Sequence, residues 1–269
     1  MYFTFNEATC IKCGLCVAEC PTALLGMTPE GPVENSGSCI QCGHCVAICP
    51  RAAIDHVRTP RSELTPVGDY KILSPEAAEQ FMRSRRSTRE YLDKPVARED
   101  ILRILNMARM APTGSNTQKV KYLVISDKTK IKAISDAVIA WMESLSHKNA
   151  HMRIYYRVCK KFMARGDDYI LRNAPGVILA IAPTKMGAQG RDNCHFCLSY
   201  AELFAPTLHV GTCWAGFVES WAQSGAEGAV DILSIPEGYS VGGAIMVGYP
   251  KVRYRYFTER NPLDVTFLD

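Results

Sequence analysis

A chain of 269 residues, 47% apolar and 22% charged, is long enough for a small module plus one full-sized domain with its own core, and its apolar fraction is that of an ordinary soluble globular protein. The formal charge of +4 is mild and dispersed apart from the run MRSRRSTR, so nothing in the bulk balance suggests nucleic-acid binding. Apolar runs at 177–182 and 241–249 are far shorter than a membrane-spanning helix requires, and the opening MYFTFNEATC lacks a signal-peptide pattern, so a cytoplasmic location with no membrane partner is expected.

The first fifty residues carry a doubled cysteine run. Cys10, Cys13, Cys16 and Cys20 followed by Pro21 are answered by Cys39, Cys42, Cys45 and Cys49 followed by Pro50. Each half reads C-x-x-C-x-x-C-x-x-x-C-P, a bacterial iron–sulfur ligand spacing. CIKCGLCVAECPTA aligns with CIQCGHCVAICPRA at an offset of 29 residues, so the segment is an internal repeat. Each iron of a 4Fe–4S cluster needs one soft thiolate, and a two-residue gap lets a tight loop present successive sulfurs inward. Gly14 and Gly43 sit in those loops, where a missing Cβ allows a sharp turn. Disulfides at this spacing would close strained small loops, and zinc sites ordinarily use two C-x-x-C pairs separated by a longer insert. Two 4Fe–4S clusters are the reading the doubled pattern supports. The segment closely resembles two-cluster ferredoxins, in which the cysteine before proline ligates the other cluster. The resemblance implies Cys10, Cys13, Cys16 and Cys49 on one cluster, and Cys39, Cys42, Cys45 and Cys20 on the other.

A short strand at 52–56 is expected to close this module at residue 57, with 58–74 as a linker containing Pro60, Pro66 and Gly68. A second domain then spans 75–269. Ser74, Pro75 and Glu76 form a helix start, an N-cap serine followed by proline and an acid in the first turn, and the helix is expected to run through AAEQFMRSRRS. From Val96 a second helix places Ile101, Ile104, Leu105 and Ala108 on one face and ends before Pro112. Gly114 and Asn116 mark a loop, 120–126 a strand, 131–145 a helix, and 146–172 a helical region broken at Gly166. Next come a central strand at 175–183, a helix at 192–209, a loop at 211–217, a strand at 241–249 and an extended basic tail. Strands so far apart favour an α+β or three-layer domain over a βαβ array. No P-loop appears, and no G-x-G-x-x-G follows a strand, so no Rossmann domain is expected. Cys159, Cys194, Cys197 and Cys213 read as reduced buried thiols, and the pair around His195 lacks the second pair a metal site would need.

Arg85, Arg86, Ser87, Thr88 and Arg89 bring three guanidinium groups and two hydroxyls to the end of the first helix of this domain. Such a cluster suits a phosphate, or a solvated basic helix end favoured by the macrodipole. The order RRSTREY, a helix ending MARMAPTGSNTQ, a strand, VGTCWAGF, VGYP and a terminal Arg-x-Pro resembles the FMN-dependent nitroreductase family over roughly seven-tenths of the chain. The resemblance implies a fold that is α+β overall: a ferredoxin-like two-cluster module followed by a three-layer α/β/α domain with a mixed central sheet. It places Arg85, Ser87 and Arg89, with Arg86 adjacent, at the FMN phosphate and pyrimidine edge. It makes Pro112, Thr113 and Asn116 the loop that family dimers contribute to the partner subunit's flavin. Trp214, Ala215 and Gly216 correspond to the loop that sets backbone groups near the isoalloxazine N5, and Arg260 to a phosphate-binding arginine. It also implies a homodimer with FMN at the subunit interface, and no catalytic side chain, because the flavin carries the chemistry.

Two departures from the family pattern stand out. Gln118, Lys119 and Val120 replace a common Gln-Pro-Trp, which changes one wall of the expected substrate pocket, and His209 and Val210 replace the usual Gly-Leu before Gly211. Without an evident carboxylate partner, His209 reads as a core or interface histidine.

Iron–sulfur clusters pass single electrons, whereas FMN accumulates two. The fusion therefore implies an oxidoreductase fed by an external ferredoxin or NAD(P)H, with electrons passing through the clusters to FMN and on to a nitroaromatic, a quinone or a similar conjugated acceptor. Two alternatives stand beside it: an electron-carrier or docking subunit without small-molecule turnover, and a flavin-dependent enone reductase or reductive dehalogenase on the same fold.

Overall fold

In the computed structural model of the chain, which describes residues 1–268, the cysteine repeat is carried by the backbone. Lys12 and Gln41 adopt φ of 55° and 56°, Gly14 and Gly43 77° and 74°, and Ala23 and Ala52 51° and 52°, so residues 29 apart turn the chain alike. Gly14 and Gly43 each open a one-turn helix from the left-handed region, a conformation that costs other residues roughly 1 kcal/mol. The elements are β1 (Phe3–Phe5), α1 (Leu15–Ala18), β2 (Leu25–Met27), β3 (Pro32–Glu34), α2 (His44–Ala47) and β4 (Ile54–His56). Two antiparallel pairs result, β1 with β4 and β2 with β3. Their shared core is small, with Phe3, Leu24, Leu25, Val46 and Ile54 packed around Cys45. So little buried apolar surface is marginal for a module of this size.

This unit comprises Met1–Ile72 and Gly114–Thr117. Arg61 donates through its backbone N–H to Asp55 Oδ1 at 2.9 Å and through Nη2 to the Ile54 carbonyl at 2.6 Å, anchoring the segment that leaves β4. Residues 64–74 then form no helix or strand.

The second unit is built on α3 (Pro75–Ser84), α4 (Arg98–Ala108), β5 (Lys121–Ile125), α5 (Lys128–Ser146), α6 (Ala150–Met163), β6 (Gly176–Pro183), α7 (Gly187–Phe204), β7 (Gly211–Trp214), α8 (Gly216–Gln223), α9 (Ala229–Leu233) and β8 (Tyr239–Gly248). Side-chain caps set several helix starts. The Ser74, Asp127 and Asn149 side chains accept from the N–H groups of Ala77, Lys130 and Met152 at 3.2, 2.7 and 3.1 Å. The sheet order is β5-β6-β8-β7 with antiparallel neighbours. A parallel bridge from Ser87 to Thr212 at the β7 edge makes it mixed. Helices α5 and α8 pack on one face, with α6 against α5, and α4 and α7 cover the other, giving the expected three layers. Burial on both faces explains why β6 and β8 read as continuous apolar runs.

Three expectations need correction. The first helix of this domain stops at Ser84, and Arg85 is extended, with ψ of 125°, because the following residues pair with β7: Thr88 N–H donates to the Thr212 carbonyl at 2.8 Å. The stretch 211–217 is a strand and a helix start; four residues opening on glycine are too short to show a strand period. Gly211 is required there, since a Cβ would lie 2.4 Å from Thr88 Oγ1. The helix expected at 192–209 begins at Gly187 and ends at Phe204, where Pro206, lacking an N–H, leaves only a short 3₁₀ turn over Ala205–Leu208. Among the described residues no helix is long and apolar enough to cross a membrane.

Candidate functional site

The two cysteine runs exchange their last members. Cys10, Cys13, Cys16 and Cys49 line one small pocket, and Cys20, Cys39, Cys42 and Cys45 line a second. Among the described residues no three His, Cys, Asp or Glu side chains converge as a single ion requires. Four sulfurs spread around each small, mainly apolar pocket suit a polynuclear cluster, so this donor set fits two 4Fe–4S groups.

Backbone amides are aimed at these sulfurs. The N–H groups of Gln41 and Ala53 donate to Cys39 Sγ and Cys49 Sγ at 3.3 and 3.2 Å. At Cys20 burial acts to raise the thiol, but the N–H groups of Leu25, Thr22 and Leu24 with the Thr22 hydroxyl outweigh it and hold it below the ordinary value. Cys49 is held down likewise, with N–H groups of Ala53, Arg51 and Ile54 and the Arg61 cation opposing burial. Burial pushes Cys16 up, and Cys45 up to about 11, so these two are the most reluctant to lose a proton without metal.

In the second unit, Arg89, Tyr155, Arg172, Trp214, Gly216 and Phe217 are among the residues lining an open cavity of about 490 Å³. Aromatic walls with two guanidinium groups fit a flat ring system that carries an anionic or polar edge, as a flavin does. Three of the sequence-derived flavin residues, Arg89, Trp214 and Gly216, meet here. Ser87 sits beside them, its hydroxyl on the Cys213 thiol, which burial nevertheless raises. Ala215 is buried and its N–H donates to the Ala244 carbonyl at 2.8 Å. Gly216 opens α8, whose first-turn N–H groups have no partner within the helix.

The remaining flavin residues lie elsewhere within one chain. Arg85 Nη1 is 3.8 Å from Oε1 of the buried Glu202. Arg86 turns to Thr258 and over the Tyr254 ring at 5.3 Å, and its Nε is buried without a hydrogen-bond partner. Pro112 and Arg260 are exposed. Thr113 Oγ1 accepts from the Gln118 N–H at 3.0 Å. Asn116 falls in the first unit, where its Nδ2 donates to the carbonyls of Ile40 and Gln41 at 2.9 and 3.0 Å.

Sequence reasoning missed two carboxylates. Glu219 on α8 accepts from Trp214 Nε1 at 2.7 Å and pairs with His195 Nε2 at 3.0 Å, while the His195 ring stands edge-on to Trp214 at 5.0 Å. An acid five residues after Trp214, in the first turn of a helix, was the available signal. Glu202 gave none, because it lies with Asn193 and a run of small and apolar residues on the buried face of α7 and no local pattern marks it out. His195 is therefore held by a carboxylate, and Cys194 and Cys197 are buried thiols pushed up by burial, Cys194 to about 12. His209 is exposed with φ of 57°, not a core residue.

The Nitroreductase family profile matches residues 82–249, more than half of the chain. The chain belongs to the nitroreductase family. A 4Fe-4S dicluster domain profile matches residues 3–50 of this nitroreductase, which is an oxidoreductase by family. It is 26% identical over 172 residues to a protein of Archaeoglobus fulgidus named for NADH dehydrogenase and NAD(P)H nitroreductase activity, covering 62% of this chain and 82% of that one. Its fold matches a nitroreductase with bound FMN from Desulfitobacterium hafniense DCB-2, with TM-score 0.60, 19% identity and coverage of 73% and 100% of the two chains. A nitroreductase with bound FMN from Bacteroides fragilis NCTC 9343 matches with TM-score 0.57, 18% identity and coverage of 71% and 98%.

Proposed function

We propose that this nitroreductase is a cytoplasmic iron–sulfur flavoprotein that takes up electrons singly at its cysteine module and delivers them in pairs, through FMN, to a nitroaromatic, a quinone or a similar conjugated acceptor. When bound, four-iron clusters supply one-electron transfer and FMN supplies the conversion to two-electron chemistry. The observation that carries the reading is the exchange of Cys20 and Cys49 between two sulfur-lined cavities in a chain whose second unit has the nitroreductase fold.

In this reading residues 1–57 form the cluster domain, 58–74 the linker and 75–269 the flavin domain. Cys10, Cys13, Cys16 and Cys49 hold one cluster, and Cys39, Cys42, Cys45 and Cys20 the other. Arg89 supplies positive charge to the flavin's polar edge, Trp214 and Phe217 wall the cavity against water, and the α8 N-terminus at Gly216 favours negative charge beside it. Arg85, Ser87 and Arg260 serve the phosphate, and Pro112 and Thr113 complete the site of a second copy in a homodimer. Asn116 has least to offer a flavin, because its amide is already bonded to the Ile40 and Gln41 carbonyls. An external ferredoxin, a one-electron carrier, is the donor that fits entry at the cysteine module; NAD(P)H, the alternative donor, would deliver hydride at FMN.

Gentle anaerobic purification followed by iron, sulfide and flavin analysis tests this reading. Two four-iron clusters and one FMN per chain, with reduction of small acceptors, are expected. Iron without flavin or acceptor reduction would make the protein an electron carrier instead.

A further inference from the structure

The repeat that shapes the two cysteine cavities is broken at several cavity-lining positions, among them Leu15 against His44 and Arg51 against Thr22, and at one of them a buried imidazole meets a sulfur. Leu25, Gly26 and Met27 of β2 correspond, 29 residues on, to Ile54, Asp55 and His56 of β4. Met27 lines the cavity of Cys10, Cys13, Cys16 and Cys49, and His56 lines that of Cys20, Cys39, Cys42 and Cys45. The His56 ring is 2% exposed, stacked on Tyr2 with centroids 6.1 Å apart and edge-on to Phe3 at 5.0 Å. Its Nδ1 accepts from the N–H groups of Arg58 and Thr59 at 3.1 and 3.0 Å, with the Thr59 hydroxyl at 2.9 Å. A ring nitrogen that accepts backbone donors carries no proton itself, so the neutral ring bears its proton on Nε2. Nε2 lies 3.5 Å from Cys39 Sγ. Met27, a thioether, has no proton to give.

Building on the proposed cluster assignment, we infer that His56 is a positioning residue that makes the two cluster sites unequal. Its Nε2–H bond to Cys39 raises the reduction potential of that site above that of the site beside Met27. Reduction adds negative charge that spreads onto sulfur, and hydrogen bonds to sulfur are one of the protein's levers on cluster potential. Burial keeps water from competing for the bond. The two sites also differ in the Thr22 hydroxyl at Cys20 and the Arg61 cation toward Cys49, so Met27 controls for this one position, and with the His56 bond in place an electron in the module rests preferentially at the Cys39 site.

The test is a redox titration of the full chain followed by electron paramagnetic resonance, with both clusters verified by iron and sulfide content. Wild type is expected to show two separated potentials. His56→Met, which installs the residue the repeat carries at position 27, should lower the upper one by at least tenfold in the one-electron equilibrium constant, about 59 mV, and leave the lower one in place. His56→Gln, which keeps an N–H donor, should retain most of the separation. Unchanged potentials in His56→Met, or an equal shift of both, would overturn the inference. If His56→Met loses a cluster, pulsed resonance on reduced wild type containing ¹⁵N-histidine decides: a ring-nitrogen coupling that vanishes in His56→Gln is required, and its absence in wild type overturns the inference. Wild-type protein without iron would sink the cluster assignment itself, and the inference with it.

Discussion

Arg85 Nη1 stands 3.8 Å from Oε1 of Glu202, a carboxylate 8% exposed that also accepts a hydrogen bond from Thr212 Oγ1 at 3.0 Å. Burial raises this carboxyl above its ordinary value, with Thr212 and Arg85 only partly offsetting it. The folded chain therefore binds more protons than the unfolded one between the ordinary and the raised value. Glu202 contributes most to stability below the ordinary carboxylate range, and that contribution is lost as pH rises through its folded value. Glu202→Gln keeps an acceptor for Thr212 and removes the titration. Urea midpoints measured against pH should fall less steeply above the ordinary carboxylate range in the variant than in wild type; parallel curves would contradict this.

Arg85→Ala should have two separable effects. Removing the cation leaves Glu202 buried without its counter-charge, a cost of roughly 1–3 kcal/mol given the partial exposure of Arg85. It should also weaken FMN binding by about ten- to hundredfold, as loss of one charge-assisted contact does. Combining it with Glu202→Gln should restore thermal stability but not flavin affinity. If both variants bind FMN like wild type, Arg85 is no part of the phosphate site.

Gly211→Ala places a Cβ 2.4 Å from Thr88 Oγ1 and 2.9 Å from Pro250 Cγ. The added methyl should push the segment carrying Ser87 and Arg89 away from β7, costing about 1–3 kcal/mol of stability. Adding Thr88→Ala should recover part of the loss in thermal unfolding.

Glu219→Ala removes the acceptor of Trp214 and Gln223 and the partner of His195. Loss of a charged acceptor of this kind costs about 1.5–3 kcal/mol. The expected result is a looser Trp214 wall, read as altered tryptophan fluorescence together with several-fold weaker flavin binding. Unchanged values for both would show that the network does not position Trp214.

Legibility in the sequence followed the range of each interaction. Cysteine spacing is local and repeated, so two cysteine-lined sites were readable from the sequence, whereas the exchange of Cys20 and Cys49 came only from the resemblance to two-cluster ferredoxins. The helix starts at Ser74 and the strands β6 and β8 were also readable, the first from capping chemistry and the others from two-sided burial. β7 was not, because a four-residue edge strand has no measurable period and its partner, the extended Ser87 segment, looked like the tail of a helix. Glu202 and Glu219 reach Arg85 and Trp214 only once α7 and α8 pack on the sheet, a long-range outcome that no window of sequence contains. The same holds for the Ala215 amide, matched to a flavin loop by motif but taken by the Ala244 carbonyl in the fold.

Cys13→Ser and Cys42→Ser should each abolish ferredoxin-driven turnover while sparing flavin binding, because their ligand positions lie in the first unit and the flavin cavity in the second. Unchanged turnover would exclude the cluster module as the electron inlet.

The most direct measurement is anaerobic rapid mixing of the purified protein with a reduced ferredoxin, and separately with NADH and NADPH, following cluster and flavin bleaching in the visible spectrum. The expected result is that ferredoxin bleaches the clusters first and the flavin after them. Direct bleaching of the flavin by a nicotinamide, with no flavin reduction from ferredoxin, would contradict electron entry through the cysteine module.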